Sequence, residues 1–339
     1  MTYKTIFSGR LEFGSPRSYE KVTQMYEHRV ENFYRSEILL KGEEIFDEES
    51  HSLNVPRFIT QASDKTWRNT INLLEYVAQF AVAGDLSAWM TDEGKVINHK
   101  VVEPKSDKAA VQAFLTGRKL VKEAGRETEA KKALSQAIEK FERHAKAYER
   151  RGFVNFQLKN YSDALYDYNK SIDINPGNPD AYLGRAFIYI HQNDLDKAID
   201  DLNQAIKRSI PLQPIYWKAR RIKGELHLRK EDYKAAILEF KLFTARKFLS
   251  TDSNYEWRKY AFFNYGKALL AAGAYKEAVN AFNEASKLES GAEDCSDAEL
   301  LLHRGMALQK AGQAGYLKDW KAAADQGSKR AAELLEATA

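Results

Sequence analysis

Apolar positions recur along this chain with two different periods, and the change from one to the other falls near residue 105. Before it, Tyr3, Phe7, Leu11 and Phe13 lie on alternate positions, which predicts a half-buried strand. Val22, Met25, Tyr26, Val30 and Phe33 then recur at helical spacing, with Ser15 or Ser18 as the N-cap. Two strand-like runs follow, EILLKGEEIF at 37–46 and SLNVPRFITQ at 52–61, joined by an acidic turn. A second helix, capped near Ser63 and Asp64, is predicted through Trp67, Ile71, Leu74, Val77 and Phe80 to Gly84. Residues 86–102 read as a hairpin turning at Asp92 to Gly94. Pro56 has no backbone donor to give a neighbour, so its strand is expected at an edge or a bulge.

Beyond 105 the pattern is helical and repeats. KNYSDALYDYNKSIDINPGNP at 159–179 has counterparts 34 residues earlier at 125–142 and 34 later at 193–211, with further copies at 231–243 and 273–290. In the second helix of each unit a small residue (Ala130, Ala164, Ala198, Ala236, Ala278) is followed four positions on by a large one. The large residues are Leu134, Tyr168, Leu202, Phe240 and Phe282. The first helix carries a small residue at its eighth position, Gly152, Ala186, Gly224, Gly266 or Gly305, with Arg118 as the exception. Tyr161, Leu195, Tyr233 and Tyr275 open the second helices, and only one unit ends in proline, Pro176.

This period and this small–large register resemble the tetratricopeptide-repeat family from about 111 to the end. The resemblance implies antiparallel helical hairpins stacked into an all-α superhelical solenoid that binds other proteins. Hairpins are expected to start at Val111, Ala145, Pro179, Trp217, Lys259 and Ala298. The later spacings of 38, 42 and 39 place extra residues around 209–216, 246–256 and 290–297. The last second helix, YLKDWKAAADQG, shows no Ala/Phe pair in register, and 328–337 reads as a capping helix. Residues 1–105 resemble no particular family. Their order strand–helix–strand–strand–helix–strand is that of a ferredoxin-like split βαβ arrangement with one extra strand, an α/β domain that by itself implies no function. The only linker, EPKSDK at 103–108, is short, so the domains 1–105 and 106–339 are expected to pack together.

Composition narrows the class. Of 339 residues 44% are hydrophobic and 29% charged, as in folded soluble domains rather than disordered ones. A net charge of +4 is small for a dedicated nucleic-acid binder. Residues 1–105 carry 13 Lys/Arg and 16 Asp/Glu, net −3, which leaves +7 for the remainder and permits attraction between the two parts. The single Cys295 has no internal disulfide partner, and neither a signal peptide nor a membrane span is read, so a cytoplasmic protein without membrane contact is expected.

No glycine-rich phosphate loop, HExxH or CxxC is present, and no two of the seven histidines share the i,i+4 spacing of a metal site. The run Asp47-Glu48-Glu49-Ser50-His51 reads as a solvated turn, and Cys295, in GAEDCSD, as an unactivated thiol. No catalytic set, cofactor or metal is therefore expected. In the family that the repeats resemble, positions 2, 5, 9, 12 and 13 of the first helices line a concave groove. Here these include Phe153, Phe156, Phe187, Ile190 and Phe263, flanked by Lys119 and Lys122 on one side and Lys218, Arg221 and Lys267 on the other. Aromatics beside cations suit a protein or peptide ligand. The set that grips chaperone carboxylate tails is not reproduced: Glu149, Phe153 and Gly184 stand in its places. The alternatives are a groove filled by residues 1–105, RNA binding with Tyr3 and Phe7 stacking bases, and an enzyme using His28, Glu31 and His51.

Overall fold

A computed structural model describes residues 1–35, 37–289, 291 and 295–338. The chain forms two compact units, Met1–Asp194 and Leu195–Ala339.

The first unit opens with a five-stranded antiparallel sheet. Its strands are β1 (Thr2–Glu12), β2 (Phe46–Asp47), β3 (Ser52–Ser63), β4 (Ala83–Asp92) and β5 (Lys95–Val102), in the order β2-β3-β1-β4-β5. The first four strands have the split βαβ order, and β5 is the extra one, added outside β4. Helices α1 (Pro16–Asn32) and α3 (Asp64–Ala78) contribute to the core beside the sheet. Ser15 and Ser63 cap them by accepting from the backbone N–H groups of Ser18 and Thr66. Phe7, Leu11, Leu53, Val55, Leu86, Ala88 and Met90 meet Val22, Tyr26, Ile71, Leu74 and Val77 in one core. Pro56 lies at a bulge: Phe7 faces Phe58 and Gly9 faces Val55, so two residues of β3 oppose one of β1. The β4–β5 turn runs through Glu93 and Gly94 at φ 46 and 79, the left-handed pair of a tight hairpin.

The run 37–46 is not the strand its apolar content predicted. Only Phe46 and Asp47 pair with β3, after a single turn of helix, α2 (Gly42–Ile45). Its backbone is satisfied by side chains instead: the Tyr26 hydroxyl donates to the Leu40 carbonyl at 2.6 Å, and the Leu39 N–H donates to Thr70 Oγ1 at 3.1 Å. Leu40 and Ile45 are buried in the helix-side core, which explains the apolar residues without a ladder. The second helix also stops earlier, at Ala78, and Gly84 lies inside β4 with φ +96.

Helical hairpins fill the rest. Unit one holds α4 (Ala109–Leu120), α5 (Glu127–Lys140), α6 (Ala145–Gln157), α7 (Tyr161–Ile174) and α8 (Pro179–His191). Unit two holds α9 (Leu195–Arg208), α10 (Pro214–Arg229), α11 (Tyr233–Thr244), α12 (Arg258–Ala271), α13 (Tyr275–Ser286), α14 (Asp297–Lys310), α15 (Tyr316–Asp325) and α16 (Lys329–Glu336). The extra residues at 246–256 fold back through Phe248, which packs on Phe243 and Trp217. Those at 290–297 fall partly outside the described residues.

The hairpins close on a small–large contact. A methyl group placed on Gly152 or Gly224 would come 3.1 Å from the ring of Tyr168 or Phe240, and one on Gly266 would come 2.5 Å from Phe282. Both apparent exceptions to the register follow the same contact, shifted by one residue. In the first hairpin Gly117, not the position of Arg118, lies against Leu134, which frees Arg118 to grip Glu103. In the last, fully buried Trp320 fills the space beside Gly305. We predict that Gly266→Ala costs about 1–3 kcal/mol through overpacking against Phe282. A urea melt measures this, and an unchanged midpoint would refute the close-contact account.

Candidate functional site: the first-helix face of the repeats

In unit one Phe156 and Phe187, two of the residues expected to line the groove, are brought together. Phe153 is 38% exposed, whereas Phe156, Phe187 and Ile190 are partly buried. The Phe156 ring lies 6.2 Å from Phe187 and meets Tyr161 edge-on at 5.7 Å, and Tyr161 packs on His191 at 4.0 Å. The stagger arises because Phe153 and Phe156 are three positions apart on α6, while Phe187 is the equivalent of Phe153 one 34-residue period on. Lys119 and Lys122 are exposed at the end of α4 and just beyond it.

The same face, nearer the start of α6, meets the sheet. Lys146 Nζ lies 3.5 Å from Asp85 of β4 and 3.9 Å from Asp180 of α8. Arg143 Nε approaches Glu12 of β1 at 3.9 Å, and Arg118 holds Glu103 with two hydrogen bonds of 2.5 and 3.2 Å. Lys108 Nζ donates to the Phe80 carbonyl. Sheet residues thus stand against positions 2 and 5 of the second hairpin, Lys146 and Glu149, so this stretch of the expected groove is occupied. The aromatic stretch beyond it retains exposed surface at Phe153.

Glu149 is the most perturbed acid of this region. Burial pushes its carboxyl from about 4.5 up to about 7; Asp180 and Asp85 add to the rise, while Arg150 and Lys146 oppose it. Tyr168 of α7 faces the same cluster.

In unit two the expected cations and aromatics are used internally. Arg221 is buried, its guanidinium 3.5 Å from the centre of the Trp257 ring and ion-paired with Glu225. Phe263 is buried between Phe282 and the edge of His303, with Lys267 Nζ 5.4 Å from its ring. Lys218 is exposed. Arg221 and Phe263 are therefore packing residues rather than presented ones. Trp257, which covers Arg221, comes from the long connection before α12, outside the repeat register.

The alternative sites separate. Tyr3 and Phe7 project toward the helix-covered side of the sheet, Phe7 fully buried, so neither is free to stack a base. His28 and Glu31 are exposed on α1, while His51 packs against Tyr19, and no hydrogen bond or ion pair joins the three among the described residues. The acidic turn closes on itself, Asp47 accepting from the Ser50 N–H at 3.2 Å. Among the described residues no three His, Cys, Asp or Glu side chains converge as metal ligands. Burial pushes the Cys295 thiol up to about 11, the reverse of an activated nucleophile. No helix among the described residues is long and apolar enough to cross a membrane.

Comparison with known proteins agrees with the hairpin geometry. Family models described as tetratricopeptide repeat match residues 121–179 and 155–221. Residues 121–221 thus carry tetratricopeptide repeats. Sperm-associated antigen 1 of Mus musculus is 41% identical over 61 residues, covering 18% of this chain and 7% of that protein. Tetratricopeptide repeat protein 36 of Caenorhabditis elegans is 36% identical over 63 residues, 19% of this chain and 35% of that one. The chain thus spans only a small part of these relatives, and what is shared is repeat sequence. Among solved structures, that of YrrB, described as having an unusual peptide-binding site, superposes with a TM-score of 0.51 at 18% identity. It covers 60% of this chain and 97% of YrrB. The Pseudomonas aeruginosa protein pilF gives 0.51 at 17% identity, over 67% and 97%. These likenesses concern the fold.

Because Glu149 takes up a proton more readily folded than unfolded, its site favours folding below about pH 4.5 and loses that advantage as the pH rises through about 7. We predict that Glu149→Gln is more stable than the parent at about pH 8 and that the difference closes toward about pH 5. Parallel urea melts at both pH values measure it; equal pH dependence in the two proteins would refute the assignment.

Proposed function

We propose that the protein is a non-catalytic adaptor that holds a peptide or helix of a partner protein against the aromatic first-helix face of its repeats. The observation that carries this reading is the row Phe153, Phe156 and Phe187, aromatic and with Phe153 exposed, where the equivalent positions of unit two hold Glu225, Lys267 and Met306 or Leu228, Leu270 and Gln309. Neighbouring aromatics that keep some exposed surface mark interaction sites, and aromatic anchors supply much of the energy of protein interfaces. The repeat family and the peptide-binding description of YrrB support the same class of ligand. The sheet domain limits the groove at its start through Asp85 and Lys146, so the ligand contacts the stretch from Phe153 onward. The charges there are too few and too scattered for a carboxylate-tail clamp or a nucleic-acid track.

Selection from a displayed random-peptide library on the full-length protein tests the proposal. Enriched peptides are expected to carry aromatic or aliphatic anchors. Phe153→Ala combined with Phe187→Ala should weaken them about tenfold or more while the melting curve keeps its cooperativity. Failure to enrich, or equal binding by the variant, would overturn the reading.

A further inference from the structure

The second helices of the repeats turn one face outward, and at two positions on it, two and six residues after the recurring small residue, most carry polar groups. These are Lys132 and Gln136 in α5, Asp200 and Gln204 in α9, and Asn280 and Glu284 in α13; α7 has Tyr166 and Lys170. Only α11 has aliphatic residues at both, Leu238 and Leu242, and they are 55% and 40% exposed. With Lys234, Lys241 and Ala245, all exposed, they fall within an arc of about 100° at 3.6 residues per turn, opposite the buried Ala236, Phe240 and Phe243. The connection that follows continues the surface with exposed Arg246, Lys247 and Leu249, the last 76% exposed. Phe248 between them is buried against Phe243, which fixes the loop on the helix end.

The stripe therefore presents three leucines among four cations. Among the described residues Lys234, Lys241 and Lys247 enter no ion pair, and Arg246 only approaches the Trp217 ring, at 5.8 Å. Intrinsic propensity does not require leucine here, since the other repeats form the same helix with polar residues at these places. We infer that the outer face of α11 is a second docking surface, which takes an acidic amphipathic helix of a partner protein. From Lys234 to Ala245 the stripe runs about 16 Å at 1.5 Å per residue, the length of three helical turns, and leucines at i and i+4 match the apolar seam of a partner helix. The cations call for acidic flanks on that helix. Lys241, Arg246 and Lys247 gather at the C-terminal end of α11, so an antiparallel helix would bring its own N-terminal acids to them. An extended anionic surface such as a bilayer fits less well, because the exposed acids Glu231 and Asp232 stand at the start of the stripe, where a flat lipid surface would meet them.

This surface is independent of the groove, and the test keeps the two apart. The probe is a fluorescently labelled synthetic helical peptide with leucines at i and i+4 flanked by glutamates, titrated into the full-length protein. Saturable binding that weakens with salt is expected. Leu238→Ser with Leu242→Ser should weaken it about tenfold or more, as should Lys241→Glu with Lys247→Glu, whereas Phe153→Ala should leave it unchanged. All the substituted residues are exposed, and melting curves are expected to match the parent. No binding, or equal binding by both double variants, overturns the inference. So does a protein that ignores the peptide but sediments with phosphatidylserine vesicles, an outcome that would assign the stripe to lipid.

Discussion

Five of the hairpins rest on a volume constraint: where two antiparallel helices cross, one side supplies almost nothing and the other supplies a large ring or a leucine. Gly117 faces Leu134, Gly152 faces Tyr168, Gly224 faces Phe240, Gly266 faces Phe282 and Gly305 faces Trp320. Dense packing of that kind tolerates neither an added methyl nor a lost ring, and so it fixes which helix faces remain for other uses. Which helix faces stay exposed within each unit follows from this one contact.

Much of the array was legible because that contact writes a fixed offset into the sequence. The offset broke at Arg118 and at the last hairpin, and both breaks were one-residue shifts of the same packing. A register read at constant spacing cannot see such a shift, since it depends on how far each helix slides along its partner. The apolar run at 37–46 was legible as buried, but its lack of a ladder was not. The groups that satisfy its backbone, the Tyr26 hydroxyl and the Thr70 hydroxyl, lie on helices 14 and 31 residues away in sequence.

Exposure was the least legible property of the groove. Arg221 and Phe263 have the right identities at the right positions, yet Trp257 covers one and His303 the other. Those covering residues come from an extra-long connection and from the next first helix, and neither position belongs to the groove pattern. Phe153 stays 38% exposed, and among the described residues no ring packs on it. Position in a repeat therefore states where a side chain starts; neighbours outside the pattern decide whether it reaches solvent.

The ammonium of Lys146 joins three separate pieces of chain: its own helix, the sheet through Asp85 and the following hairpin through Asp180. A repeat array ordinarily ends in a raw apolar surface that a dedicated polar helix must cover, as α16 does after the last hairpin. At the other end no such helix exists among the described residues. There Glu12 and Asp85 of the sheet, and Glu103 just after β5, pair with Arg143, Lys146 and Arg118. The α/β domain and the first repeats thus lie in one compact unit, Met1–Asp194. The array cannot be shortened from its beginning without stranding those charges.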